Sequence, residues 1–282
     1  MKNVLDFCHV ATSGPLFLDN SCVVNDEKLM KRGNFFGFDN LINENTFFEI
    51  HSDNLRDSVI SVKSKCMNRI RQLVASLALF HKLDVATPMG EILARNYVGG
   101  RILLLEHNSH FASVLSVICC QNNVELVTAE YFGEKYKSGE TVNTVLNVDI
   151  QNTHFPDDYF DLILHTDVFE HLPDAARGEM ETVRILKPGR CIIFTAPFDY
   201  SAMEDHLFAE VVNGETVYHR EPIYHHDPVA PDGKCMLFRI FAFSSLQKRF
   251  NAVGCDFCCN YLHSRYLGIL GNNAYCFIAA KK

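Results

Sequence analysis

The sequence lacks an excess of positive charge. Its 282 residues carry 26 lysines and arginines against 34 aspartates and glutamates, which gives a formal net charge of −8. No run of like charge suggests an interaction tail, and no broad basic surface for phosphate groups is expected. These features argue against a nucleic-acid partner.

Long apolar runs are missing as well. The first residues place acidic side chains among short apolar stretches, without the basic start and continuous apolar core of a signal peptide. No stretch reaches the length of a membrane span. The 11 cysteines, scattered along a chain without an export signal, favour reduced thiols over a disulfide framework. We therefore expect a cytoplasmic protein with no membrane span.

The cysteines also lack a consistent metal-binding arrangement. Cys255, Cys258, Cys259 and His263 have a zinc-like spacing, but alternation along a strand sends Cys258 to the opposite face from Cys255 and Cys259. Cys66 has no partner in a C-x-x-C pair. We predict buried thiols and no metal ligands.

What the chain does contain, after residue 86, is an alternation of short apolar runs with helical patterns. Such alternation is typical of a parallel sheet. We predict a Rossmann-like, doubly wound α/β fold with a mostly parallel seven-stranded sheet. The predicted strands are Arg101–Leu105, Glu125–Thr128, Thr144–Val148, Phe160–Leu164, Cys191–Thr195, Cys255–Leu262 and Ala274–Ala280.

The first 60 residues show no sustained helical or alternating period, whereas an apolar stripe predicts a helix from about residue 66 to 82. We therefore expect two domains. Residues 1–85 form an N-terminal lobe that ends in this helix, and residues 86–282 form the α/β domain, with an insertion near 198–240.

One segment couples several motifs to this pattern. Between Phe155 and Pro197, an aromatic-Asp pair opens the fourth predicted strand, the segment DVFEHLPD follows it, and a helix ending in LKPG leads to the fifth strand. This order resembles the class I methyltransferases with a domain of type 11. The resemblance implies a methyltransferase that uses S-adenosylmethionine as its cofactor.

A second segment, residues 218–229, reads YHREPIYHHDPV. It is similar to a P-x-Y-H-x-x-P-V element of bacterial methyltransferases that are often linked to glycan or cell-surface biosynthesis. The similarity suggests a small-molecule or glycan-linked acceptor with a hydroxyl group. It leaves the identity of the acceptor and the oligomeric state open.

The resemblance implies a cofactor site beyond the carboxyl ends of the strands. Glu106 would support the amino-acid end of the cofactor, Glu130 its ribose and Asp149 its adenine, on which Ile150 would pack. Each acid could instead be a solvated strand end or a helix cap. Three residues that leave the fourth strand would line the sulfonium side: His165, Thr166 and Asp167.

The expected glycine-rich loop after the first strand is absent. Residues 106–111 read EHNSHF, without a glycine that could adopt positive φ. Asn108 tolerates left-handed geometry, and Asn108 or Ser109 can cap the next helix. We expect these two residues to present backbone N–H groups to the cofactor carboxylate.

A hydroxyl acceptor benefits from a general base, for which histidine is suited at neutral pH. The predicted insertion carries His206, His225 and His226 as catalytic candidates, with His225 as the first choice. A histidine that only holds the loop is the alternative. The resemblance gives Glu170 and His171 a role in securing the loop.

A second hypothesis for the whole chain is a catalytically silent binding or scaffold protein. A nicotinamide-dependent oxidoreductase ranks last, because the sequence lacks the glycine fingerprint of that class.

Overall fold

A computed structural model describes residues 4–12, 26–227, 229–230, 232–271 and 273–282. Parts of the predicted 1–85 lobe and of the 198–240 insertion lie outside these described residues. None of the helices in the described ranges combines the length and the apolar character that a bilayer crossing requires.

The described residues form one large sheet and several short hairpins and sheets. The strands are β1 (Phe7–Ala11), β2 (Asn34–Asp39), β3 (Glu44–Ile50), β4 (Val59–Ser61), β5 (Arg101–Leu104), β6 (Glu125–Glu130), β7 (Thr141–Val142), β8 (Val145–Asn147), β9 (Phe160–Thr166), β10 (Leu186–Thr195), β11 (His206–Leu207), β12 (Ala209–Val212), β13 (Glu215–Tyr218), β14 (Ile223–His226), β15 (Lys234–Leu237), β16 (Arg239–Ile240), β17 (Cys255–His263) and β18 (Tyr275–Lys281).

The helices of the same ranges are mostly of two to four turns. They are α1 (Leu55–Ser58), α2 (Asn68–Phe80), α3 (Met89–Asn96), α4 (His110–Gln121), α5 (Ala175–Ile185) and α6 (Phe243–Ala252), and a 3-10 turn spans Phe169–His171. The predicted helix over 66–82 is confirmed as α2.

The central sheet has the order β1-β17-β18-β10-β9-β5-β6-β8-β7. All seven predicted strands lie in it, and six of its strands point the same way. The predicted strand count needs correction from seven to nine. The two additional strands are β1, which pairs with the edge strand β17, and β7, which forms a tight hairpin with β8. Both lie outside the repeating strand-helix pattern that carried the prediction.

The chain reverses its direction across the sheet between β5 and β9. It runs outward from β5 through β6 to β8, then returns to β9 and continues to β10 on the other side. Connections that leave in opposite directions open a crevice at the carboxyl ends of the two central strands. The topology therefore places a ligand site beside Leu104 and Thr166.

Apolar side chains cover both faces of the sheet. One core joins the sheet to α2, α3 and α4, and the other joins it to α5 and α6. Cys255 and Cys259 belong to the second core, whereas Cys258 packs against the first, as strand alternation predicts. His263 hydrogen-bonds Asp26 instead of approaching these thiols.

Helix α2 is buried along nearly its whole length, and a buried arginine anchors it. The fully buried guanidinium of Arg71 donates to the carbonyl oxygens of Leu267 (2.8 Å), Cys66 (2.9 Å), Val59 (2.8 Å) and Gly268 (2.9 Å). A buried charge is tolerated when its donors are satisfied in this way. Arg71 thereby ties the N-terminal segment to the connection between β17 and β18. The division at residue 85 stays a prediction.

His165 lies inside the sheet core, with no exposed surface. Its ring stacks on Phe194 and meets Phe169 edge-on, and neither ring nitrogen has a hydrogen-bond partner among the described residues. Burial lowers the pKa of His165 to about 3. The native state therefore holds this imidazole neutral.

This burial predicts an acid-sensitive fold. The folded pKa of His165 lies below the value of about 6.5 for an unfolded chain, so its contribution is complete above pH 6.5 and is lost as the pH falls toward 3. Between pH 7.5 and 5 the loss should reach about 2 kcal/mol. In urea denaturation, the free energy of unfolding of His165→Phe should therefore fall by about 2 kcal/mol less than that of the wild type over this pH range. His51→Gln, at a half-exposed histidine, is the control and should follow the wild type. Equal losses in wild type and His165→Phe would contradict the assignment.

Candidate functional site

Two clefts open side by side at the carboxyl edge of the sheet. The loop cleft, of about 690 Å³, lies between residues 65–70 and the loop 106–111. The hairpin cleft, of about 720 Å³, lies between α1, the end of β9 and strand β14. Arg69 and Thr166 line both clefts. The two spaces therefore meet at the crevice that the sheet topology predicts.

Asp167 stands at this junction. Its carboxylate accepts hydrogen bonds from the guanidinium groups of Arg56 and Arg69 and from the Thr195 hydroxyl, the last at 2.9 Å. Burial alone would raise the pKa of Asp167, but the two guanidinium groups hold it well below its usual value. Its backbone has φ of +54°, which is uncommon outside glycine. Asp167, predicted to contact the cofactor, is thus already occupied by protein donors.

The glycine-free loop follows a path that requires no positive φ. Every non-glycine residue with positive φ in the described chain lies outside residues 105–111, so Asn108 does not use the left-handed geometry that we considered. Ser109 caps α4, because its hydroxyl accepts from the N–H of Ala112 at 2.9 Å. The cap confirms one of the two residues predicted for that position.

Glu130, at the end of β6, holds this loop. Its Oε1 accepts from the N–H groups of His107 (2.8 Å) and Asn108 (3.1 Å). The loop amides that glycine would direct to a ligand are here directed to a carboxylate. The predicted contact of Glu130 with a ribose stays a prediction, and its second oxygen is the one that would make it.

Glu106 lines the loop cleft. Its carboxylate accepts from the hydroxyls of Ser109 (2.7 Å) and Thr166 (2.9 Å). Burial raises the pKa of Glu106, and these two hydrogen bonds partly offset the shift. An acid held in this way can accept a hydrogen bond from an ammonium group in the cleft.

Asp149 and Ile150 lie one strand further along the edge. The Asp149 carboxylate accepts from the N–H of Gln151 at 2.9 Å and so closes a local turn. Ile150 is only 4% exposed and belongs to the core beneath α5, which leaves little of it for an adenine ring. His165 also needs a correction, because strand alternation turns its ring into the core and not toward the clefts.

The predicted catalytic histidines separate into two groups. His225 and His226, on β14, line the hairpin cleft. His206, on strand β11, lies outside this cleft lining, and its ring contacts the Asp199 carboxylate at 2.8 Å. Nδ1 of His225 lies 3.3 Å from Nε2 of His171, which also lines this cleft.

Sequence reasoning gave too small a role to four residues of the junction. Arg56 and Arg69 approach Asp167 from 111 and 98 residues away in the chain. Glu170 is fully buried, and neither of its carboxylate oxygens has a hydrogen-bond partner in another described residue. Burial, and then the negative charge of Asp167, raise its pKa well above the usual value. The FEH triplet in the sequence was the available signal for Glu170 and His171.

Residues 98–194 match the family described as a methyltransferase domain. This segment is similar to a methyltransferase domain. The match spans β5 to β10, including both strands that flank the crevice, and it supports an S-adenosylmethionine-dependent methyltransferase with S-adenosylmethionine as the implied cofactor. The glycan-linked subgroup finds no support in the match.

Solved structures similar to the chain are distant. A Haloferax volcanii complex that contains a methyltransferase activator is 17% identical, with 36% of this chain and 47% of that chain covered and a TM-score of 0.28. The [4+2]-cyclase SpnF is 13% identical, with 73% and 61% covered and a TM-score of 0.40. A Methanosarcina mazei S-adenosylmethionine-dependent methyltransferase is 16% identical, with 67% and 96% covered and a TM-score of 0.38.

The chain thus spans less than two thirds of the first two of these structures, 47% and 61% of their lengths. At such low identity and TM-score, none of the three similarities indicates a function. No curated protein matches the chain.

The junction predicts a large cost for neutralising Asp167. In Asp167→Asn, two mostly buried guanidinium groups lose their shared anion, although Asp57 remains 3.5 Å from each of them. We expect a loss of about 3 kcal/mol in the free energy of unfolding, measured by urea denaturation. The matched control is Asp157→Asn, at a carboxylate that is 74% exposed and paired with Arg184, where the loss should stay below about 1 kcal/mol. Similar losses in both variants would contradict the assigned role.

Proposed function

We propose that the protein transfers a methyl group from S-adenosylmethionine to a hydroxyl of a small or glycan-linked acceptor. The observation that carries this proposal is the meeting of two clefts at Thr166 and Arg69. Methyl transfer requires an acceptor in line with the sulfonium methyl, and two adjoining spaces provide that positioning.

The loop cleft suits the amino-acid end of the cofactor. Its volume of about 690 Å³ lies in the range of small-molecule sites. The Glu106 carboxylate can accept from the ammonium group, whereas the Arg69 guanidinium and the N-terminus of α4 favour the carboxylate. Opposite charges are thus available for both ends of the amino acid.

The hairpin cleft suits a polar acceptor. Tyr224, His225 and His226 line one wall, and Asn273 and Tyr275 line another. Such groups donate and accept hydrogen bonds, as recognition of a molecule rich in hydroxyls requires. In this proposal His225 is the base that takes the hydroxyl proton or the group that orients the acceptor, with His226 beside it.

A catalytically silent scaffold is the second candidate. The observation that favours it is that Glu130 and Asp167 already bind protein donors, the former two loop amides and the latter two guanidinium groups. Such a site is stable without a ligand. The open volume of the loop cleft favours the enzyme instead, since the loop does not fill the space that a cofactor needs.

Calorimetric titration with S-adenosylmethionine and with its demethylated product separates the two candidates. Micromolar binding of either ligand would support the enzyme. If a folded protein shows no heat of binding at millimolar ligand, the scaffold hypothesis is the one that remains.

Removal of Glu130 should weaken cofactor binding. Glu130→Ala deletes the carboxylate predicted at the ribose and frees the amides of His107 and Asn108. We expect affinity to fall by about 1 to 3 kcal/mol in the same titration. Glu125→Ala, at the other end of β6, removes only an exposed pair with Arg101 and should bind like the wild type. Unchanged affinity in a folded Glu130→Ala protein would refute the assignment.

Replacement of His225 should separate turnover from cofactor binding. Because its ring lines the hairpin cleft and not the loop cleft, His225→Gln should lower turnover by about a hundredfold while cofactor affinity stays near that of the wild type. The control is His219→Gln, whose exposed ring contacts Glu210 at 2.9 Å. Turnover assayed on an identified acceptor checks the prediction, and normal turnover in His225→Gln would end the catalytic role.

A further inference from the structure

We propose that Glu170, His171 and His225 bind a divalent transition-metal ion, such as Zn²⁺, in the wall of the hairpin cleft. One ligand atom of each residue lies within 4.8 Å of the other two. Nε2 of His171 is 3.7 Å from Oε1 of Glu170 and 3.3 Å from Nδ1 of His225. Two imidazoles and one carboxylate form a ligand set that zinc and its neighbours in the periodic table prefer.

These separations fit a shared cation better than direct hydrogen bonds. In a tetrahedral site with metal-ligand distances of about 2.0 to 2.1 Å, neighbouring ligand atoms are about 3.3 Å apart. The two imidazole nitrogens have this separation, which is longer than the usual hydrogen bond of about 2.9 to 3.0 Å. The separation between Nε2 of His171 and Oε1 of Glu170, 3.7 Å, exceeds this spacing by a few tenths of an ångström.

The buried carboxylate of Glu170 supplies an independent reason. It has no exposed surface, and no other described residue donates to either oxygen. A buried carboxyl group without a donor is costly. Glu179, which is 1% exposed on the neighbouring helix, shows the usual solution, because Arg249 donates to it at 2.7 Å. A cation between Glu170 and the two histidines would compensate the carboxylate in the same way.

The orientation of His171 is already set for a ligand. Its Nδ1 lies 2.8 Å from the carbonyl oxygen of Met236, which can only accept. Nδ1 therefore carries the proton, and Nε2 keeps a lone pair directed toward the site. This arrangement is frequent behind metal-bound histidines. The N–H of Phe238 also donates to the Glu170 carbonyl at 2.9 Å, so this backbone contact holds the end of β15 against the 3-10 turn.

Three protein ligands would leave an open coordination position, as in catalytic zinc sites. His171 and His225 both line the hairpin cleft, so the open position faces that space. A bound ion there would lower the pKa of a coordinated hydroxyl group. This consequence rests on the proposed function, with His225 as the group that orients the acceptor and not as the base, whereas metal binding itself does not.

The test titrates the full chain, freed of metal by a chelator, with Co²⁺ and then with Zn²⁺ against a chromophoric competitor. We expect one Co²⁺ per chain with visible bands of nitrogen and oxygen ligation and without a thiolate charge-transfer band. Glu170→Gln and His225→Gln should each weaken Zn²⁺ binding at least a hundredfold. His219→Gln, at an exposed histidine paired with Glu210, is the matched control and should keep the wild-type affinity.

Three results would overturn the site: less than one Co²⁺ per chain, a thiolate band, or wild-type affinity in both variants. Circular dichroism checks that the variants fold. If the variants do not fold, anomalous diffraction from wild-type crystals soaked in Zn²⁺ tests the site instead. A peak between the three side chains would support the proposed site, and a peak elsewhere, or no peak, would contradict it. Calorimetry with S-adenosylmethionine is a separate measurement, so failure of the metal site and failure of the methyltransferase proposal are distinguishable.

Discussion

The ion pair of Asp167 with Arg56 and Arg69 is the contact on which the site geometry depends. It joins the end of β9 to α1 and α2, which are remote in the chain but adjacent at the carboxyl edge of the sheet. The same three residues line the hairpin cleft, and Arg69 also faces the loop cleft. One mostly buried charge cluster therefore fixes the N-terminal segment at the place where the two clefts meet. Losing any partner would leave charge uncompensated in a region of low dielectric.

The N-terminal segment consequently forms part of the site. Residues 65–70 form one wall of the loop cleft, and Arg71 donates to four carbonyl groups, two in the N-terminal segment and two in the connection between β17 and β18. The segment that matches the methyltransferase domain family, residues 98–194, does not include this wall. Substrate selection in the proposed enzyme would then depend on residues outside the matched segment.

The loop 106–111 shows how a carboxylate can replace glycine. Glycine permits a backbone path with positive φ, whereas here Glu130 draws the amides of His107 and Asn108 toward itself and Ser109 begins the helix. The loop keeps negative φ throughout and the cleft stays open. Positive φ occurs instead at Asp167, on the neighbouring strand end, where side-chain contacts from two helices hold it.

Local periodicity was sufficient to predict all seven core strands and the helix α2, and the residue type predicted the Ser109 cap, because each depends on residues close together in the chain. The resemblance of residues 155–197 to methyltransferases likewise rested on motifs that follow one another in the chain. It could not reveal the nine-stranded order, since β1 pairs with β17 across about 250 intervening residues. Nor could it show that His165 turns into the core while Thr166 faces the clefts. The partners of Asp167, the burial of the Glu170 carboxylate and the contact of His171 with His225 arise only when the sheet edge, the N-terminal helices and the β14–β15 hairpin pack together. The sequence alone determined which elements form and what kind of domain they build, whereas tertiary packing decided which polar groups are buried, and therefore which must find a partner.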